Sequence, residues 1–141
     1  MKNIEFNTQI CTSIEQSKRL LELGLDADTS DMFYSAKHIG KDIVRYSDPQ
    51  ILVHNEHFEI FVDDQPAWSL HRLIAMLPDF FCHLGGQFNL KIDKCFLRYC
   101  TARNDGYICF QQKDMLYDNI IDCIKWLIKD GHFNKEYLKE E

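Results

Sequence analysis

The feature that most constrains the fold is Asn104-Asp105-Gly106, set between "KCFLRYCTA" and "GYICFQQ". An Asp-Gly step supplies the positive-φ turn that joins two antiparallel strands without splaying them. A chain with this step between two β-rich runs is expected to contain a hairpin, so it is not all-helical. Just upstream, "QFNLKID" alternates, with Phe88, Leu90 and Ile92 on one face and Gln87, Asn89, Lys91 and Asp93 on the other. Within the hairpin, Cys95, Leu97 and Tyr99 alternate with Phe96, Arg98 and Cys100. Both faces are fairly apolar, which predicts a central position or one face against another surface.

The period then changes. From Lys113 to Asp130, Leu116, Ile120, Cys123, Ile124 and Leu127 share one side of a helix, with Asp118, Asp122, Lys125 and Lys129 on the other. Gly131 is its cap. Residues 132–141 form a charged tail in which Phe133, Tyr137 and Leu138 are free to dock. Near the other end, "CTSIEQSKRLLELGL" reads as a helix capped by Thr12 with Glu15 returning the bond, stopped by Gly24. Residues 26–41 read as a loop that tucks in Met32, Phe33 and Tyr34. Strands are expected around Ile43-Val44, Ile51-Val53 and Phe58-Val62, with Asn55-Glu56 turning between the last two. "PAWSLHRLIAMLP" reads as a short helix capped by Ser69, apolar at Leu70, Leu73, Ile74 and Leu77, and ended by Pro78. Gly85-Gly86 is the clearest break. This order predicts an α+β fold, a single domain over residues 1–141. Its sheet is mostly antiparallel, with about three helices packed on one face.

Composition narrows the function. Of 141 residues, 45% are hydrophobic and 27% charged, which a folded core requires and a disordered chain lacks. The net charge of −6 argues against broad binding to a nucleic-acid backbone, while leaving room for a local basic patch. No apolar run is long enough to cross a membrane, and "MKNIEFNTQ" lacks the apolar stretch of a signal peptide. The six cysteines form no C-x-x-C pair and mostly lie in apolar segments, so they read as reduced and structural.

Three stretches, "ICTSIEQSKRLLELGLDADTSDM", "PAWSLHRLIAMLP" and "DNIIDCIKWLIKDGHFNKEYL", resemble a family of small uncharacterised proteins of gut bacterial genomes, prophages and mobile elements. The middle, "FYSAKHIGKDIVRYSDPQILVHNEHFEIF", departs from the family's pattern, which is richer in Gly, Ser and Trp. The resemblance implies shared fold and a mobile-element setting, hence the cytoplasm of a bacterial host cell. It attaches no activity.

Candidate chemistry is sparse. His54, Glu56 and His57 in "HNEH" have the wrong spacing for zinc on either a helix or a strand and read as turn polars. Cys82-His83 suggests an activated thiol, but neighbours in an extended segment point to opposite sides. Asp63-Asp64 reads as a solvated turn. No metal and no cofactor are expected. Binding features are better represented. Arg98, Tyr99, Arg103 and Tyr107 cluster around the Asn104 turn, where guanidiniums beside aromatic rings hold anionic ring systems. Trp68, His71 and Arg72 make a second candidate group, because His71 and Arg72 fall outside the helix's apolar side.

The expectation is a non-catalytic accessory protein that binds a host protein or sequesters a small anionic, nucleotide-like ligand, counteracting host defence. The alternatives are a small hydrolase of such a ligand and a structural virion component. Ten phenylalanines, six tyrosines and two tryptophans exceed what one core of this size needs. Self-association is therefore expected, most simply a two-fold dimer through the hairpin or Phe80-Phe81.

Overall fold

The computed structural model describes residues 9–52, 63–93, 96–103, 106–110 and 115–140. In chain order its elements are α1 (Ile14–Glu22), β1 (Met32–Tyr34), β2 (Ala36–His38), β3 (Val44–Tyr46), β4 (Gln50–Ile51) and β5 (Gln65–Ala67). There follow α2 (Leu70–Met76), β6 (Phe80–His83), β7 (Gly86–Ile92), β8 (Leu97–Thr101), β9 (Tyr107–Phe110) and α3 (Leu116–Lys129). Single 3-10 turns occupy Ala27–Thr29 and Lys135–Tyr137. The fold is α+β, and its sheets are antiparallel.

Among the described residues the strands divide among three sheets. The largest has the order β6-β7-β8-β9, with Leu90 opposite Tyr99 and Arg98 opposite Cys109. A second has the order β4-β1-β5, and β2 pairs with β3 as a ribbon. The hairpin read from Asn104-Asp105-Gly106 is formed by β8 and β9, closed by Cys100 opposite Tyr107 and by the Gly106 carbonyl accepting from the Thr101 amide at 2.9 Å. Its expected central position holds for β8 alone, because β9 ends the sheet order.

Several local expectations change. The box that opens α1 is Ser13 with Gln16, one residue later than Thr12 with Glu15. Thr12 is diverted to the core, where it is fully buried. Residues 26–41 are not a loop, since they include a 3-10 turn, β1 and β2. β5 and β6 were not legible either. β1, β2 and β5 are three residues each, too short for alternation to show, and Pro66 sits inside β5. The "HNEH" stretch, the Asn55-Glu56 turn and the Phe58–Val62 run lie outside the described residues.

α3 is the centre of the molecule. It packs on β8 and β9 on one side and on α1 and α2 on the other. This explains why Ile121 is as deeply buried as Ile120, Cys123, Ile124 and Leu127. A helix covered on two sides needs a wider apolar stripe than a surface helix. Leu20 of α1, Leu73 and Met76 of α2, and Leu97 and Tyr99 of β8 complete that core. Each fully buried aliphatic side chain contributes about 1.5–3 kcal/mol. The polar edge of α3 is tied to α1, where Arg19 reaches Asp118 at 3.4 Å and Asp122 at 3.1 Å. Among the described residues no helix is long and apolar enough to cross a membrane.

Candidate functional site

The Trp68 group belongs to the core. Trp68 is fully buried, and its indole Nε1 donates to the Thr29 hydroxyl at 3.0 Å, while its backbone N–H donates to the Thr12 hydroxyl at 3.0 Å. Thr12 in turn pairs with Ser17 at 2.7 Å. Arg72 is half-buried, and its Nε donates to the Thr29 carbonyl at 2.8 Å. Asp31 accepts from both the backbone N–H and the hydroxyl of Ser69, the residue that caps α2. This network clasps the 3-10 turn and β5 against α1 and α2, and it uses both N–H groups of Trp68 and the Nε of Arg72 internally. His71 points outward, exposed and separate from the clasp.

The second candidate group divides across the large sheet. Tyr99 lies on the core side, fully buried, with its hydroxyl donating to the Pro78 carbonyl at 2.7 Å. Burial raises its phenol pKa well above the ordinary range, with Cys123 and Asp79 adding to the effect. Arg98 lies on the opposite, outer side. Its guanidinium carbon is 4.4 Å from the centre of the Phe96 ring and 5.8 Å from that of Tyr107. Tyr107 is 63% exposed. Lys91 is directly opposite Arg98 on β7. Arg98 Nε is shielded from solvent and has no hydrogen-bond partner among the described residues. Arg103 is exposed in the turn that follows β8. Arg98 and Tyr107 therefore do share a face, whereas Trp68 and Tyr99 do not join it. Phe80, at 56% exposed, lies on the same outer side, and Phe81 points into the core.

A third constellation was missed in the sequence. At the turn between β6 and β7, Leu84 and Gly85 have φ of 50° and 81°, the paired positive angles of a tight hairpin turn. This turn holds His83 at the end of β6 on the side facing α3. At the end of α3, Gly131 has φ of 77°, its N–H donating to the Ile128 carbonyl at 3.2 Å and that of His132 to the Leu127 carbonyl at 2.8 Å. These are the paired bonds of a Schellman cap. The cap aims His132 at His83, and His83 Nδ1 lies 3.2 Å from His132 Nε2. One nitrogen of each ring and a carboxylate oxygen of Asp130 all lie within 4.8 Å of one another. His132 stacks on Phe81 with ring centres 4.4 Å apart, and Trp126 stands edge-on to His83 at 5.4 Å. A cleft of about 320 Å³, lined by residues including Pro78, Asp79, Asn134 and Tyr137, opens beside His132. Sequence reasoning read His83 only against its neighbour Cys82. The available signal was a histidine directly after the capping Gly131.

The remaining candidates are occupied locally. Asp63 pairs with His38 at 2.8 Å, and Asp64 accepts from the Ala36 amide at 2.9 Å. Cys82 is exposed on the outer side of β6, contrary to the expectation of burial, while Cys11, Cys100 and Cys123 are buried and unpaired. Burial raises the thiol pKa of Cys11 and of Cys123. Comparison with known proteins finds no matching family model, curated protein or solved structure.

Proposed function

We propose that this protein is a non-catalytic binder that sequesters a small anionic ligand carrying a flat ring, nucleotide-like in character, on the outer side of the β7-β8-β9 sheet. One observation carries this reading: the Arg98 guanidinium lies near both the Phe96 and Tyr107 rings, on a sheet face where Tyr107 is exposed. A guanidinium and an exposed aromatic ring together offer an ion pair and a stacking surface to the same ligand. Lys91 across the strand and Arg103 beyond the turn add positive charge to a chain of net charge −6. The resemblance of three stretches to proteins of prophages and mobile elements supports reading the binder as an accessory protein acting in a bacterial host cell, there to counteract host defence.

Incubation with a mixture of nucleotides, followed by gel filtration and heat release, tests the reading. The ligand is expected back intact from the wild type and absent from Arg98→Met. Release of an altered nucleotide identifies a hydrolase instead. Equal retention by Arg98→Met removes the outer face from the argument. Phe80 and Tyr107 on the same face also supply the surface for a two-fold dimer. Sedimentation shows whether a second copy covers that face as concentration rises.

A further inference from the structure

We propose that His83, His132 and Asp130 form a binding site for a divalent first-row transition ion, Zn2+ being the ion whose chemistry fits best. The site is separate from the outer-face binder, because His83 lies on the α3 side of the sheet and Arg98 on the other.

The geometry is that of two ligands to one ion. Zn–N bonds of ~2.0–2.1 Å at a tetrahedral angle set two nitrogens about 3.3 Å apart. His83 Nδ1 and His132 Nε2 are 3.2 Å apart. Two imidazoles this close share a single proton between facing nitrogens, or they share a metal. The rings are fixed before any ion arrives. Phe81 stacks on His132 at 4.4 Å, and His83 is flanked by Phe88 at 6.1 Å and Trp126 at 5.4 Å. The backbone on each side is locked by a turn with positive φ, at Leu84-Gly85 and at Gly131. Such preorganisation is what a metal site requires from its scaffold. Asp130 completes the donor set. Its side chain is exposed, so a rotation brings its carboxylate from within 4.8 Å to bonding distance without disturbing the core. Two imidazoles and one carboxylate suit Zn2+ and its transition-metal neighbours rather than Mg2+ or Ca2+, which take oxygen ligands. Three protein ligands leave the fourth position open. A cleft lined by His132, Asn134 and Tyr137 lies next to this group, with neither His83 nor Asp130 in its lining.

Isothermal titration of the metal-free full chain with ZnCl2 is the primary test. One ion per chain is expected to bind, with affinity lowered at least about tenfold by Asp130→Asn, in line with the loss that a perturbed ligand shell causes, and abolished by His83→Gln with His132→Gln. Because His132 packs on Phe81, a thermal melt in chelator establishes that each variant folds. Asp130→Asn, at an exposed position, keeps the test sharp if the histidine variants do not fold. Titration with NiCl2 localises the ion: Trp126 fluorescence is expected to be quenched in the wild type, and the signal to vanish in Trp126→Phe. Absence of Zn2+ binding overturns the proposal, as does equal affinity in the wild type and Asp130→Asn.

Discussion

Two regions of this molecule look alike in sequence and differ in structure. Around residue 70, Trp68 and Arg72 stand together, and around residue 100 Arg98 stands with Phe96 and Tyr107. In the first, the indole N–H donates to the Thr29 hydroxyl and the guanidine Nε to the Thr29 carbonyl. In the second, the guanidinium rests on rings and its shielded Nε has no partner among the described residues. An aromatic beside an arginine is therefore not itself a sign of binding. Hydrogen-bond accounting separates a clasp that consumes its polar groups from a face that offers them, because a buried donor left unmet is costly and one already met has nothing to give a ligand.

The comparison is most easily broken by truncation. Trp68→Ala removes the largest fully buried side chain and is expected to lower stability by about 3–5 kcal/mol in denaturant unfolding. A loss under about 1 kcal/mol would mean that the clasp is not part of the core. High pH is expected to act through the same region. Cys11, Tyr34 and Tyr117 around the clasp, with Tyr99 and Cys123 in the main core, all have pKa values raised chiefly by burial. The unfolded chain loses these protons first, from about pH 8.5 for cysteine and about 10 for tyrosine. The unfolded state then binds fewer protons than the native one, so stability falls as pH rises through and beyond that range. Tyr34→Phe is expected to flatten the decline, and an unchanged slope would exclude Tyr34 as a contributor.

Thr29→Val tests the clasp alone. It leaves the indole N–H of Trp68 without its acceptor and is expected to cost about 1–3 kcal/mol, measured by thermal melt. Arg98→Ala removes the contacts of the guanidinium with Phe96 and Tyr107 and is expected to lower stability by about 0.5–1 kcal/mol, while abolishing ligand retention. A large loss of stability there would make Arg98 a structural residue. The smallest perturbation is chemical labelling. Cys82 on the outer side is expected to react with a thiol reagent in the native protein, and Cys11, Cys100 and Cys123 only on unfolding.

Where the sequence was legible, it was because one residue pattern met one backbone geometry. The alternation from Phe88 to Ile92 and the heptad-like stripe of α3 are local signals, and each formed the element it predicts; the hairpin read from the Asp-Gly step formed too, but Gly106 does not carry the positive φ expected of it. Caps were legible to within a residue, as Ser69 and Gly131 were found and Thr12 gave way to Ser13. The three-residue strands β1, β2 and β5 were not legible, because their pairing energy comes from partners far along the chain rather than from their own composition.

The chain by itself determined the α+β class, the hairpin, the buried stripe of α3 and the excess of aromatic residues. Tertiary structure decided which aromatics are spent in the core. It set Trp68 and Tyr99 inside and Tyr107 and Phe80 outside, a choice made by packing across the sheet and not by residue type. It also brought His83 to His132, which are 49 positions apart. No local pattern encodes that meeting, because it depends on two turns with positive φ that are distant in the chain and on the packing of α3 against the sheet, which sets them side by side.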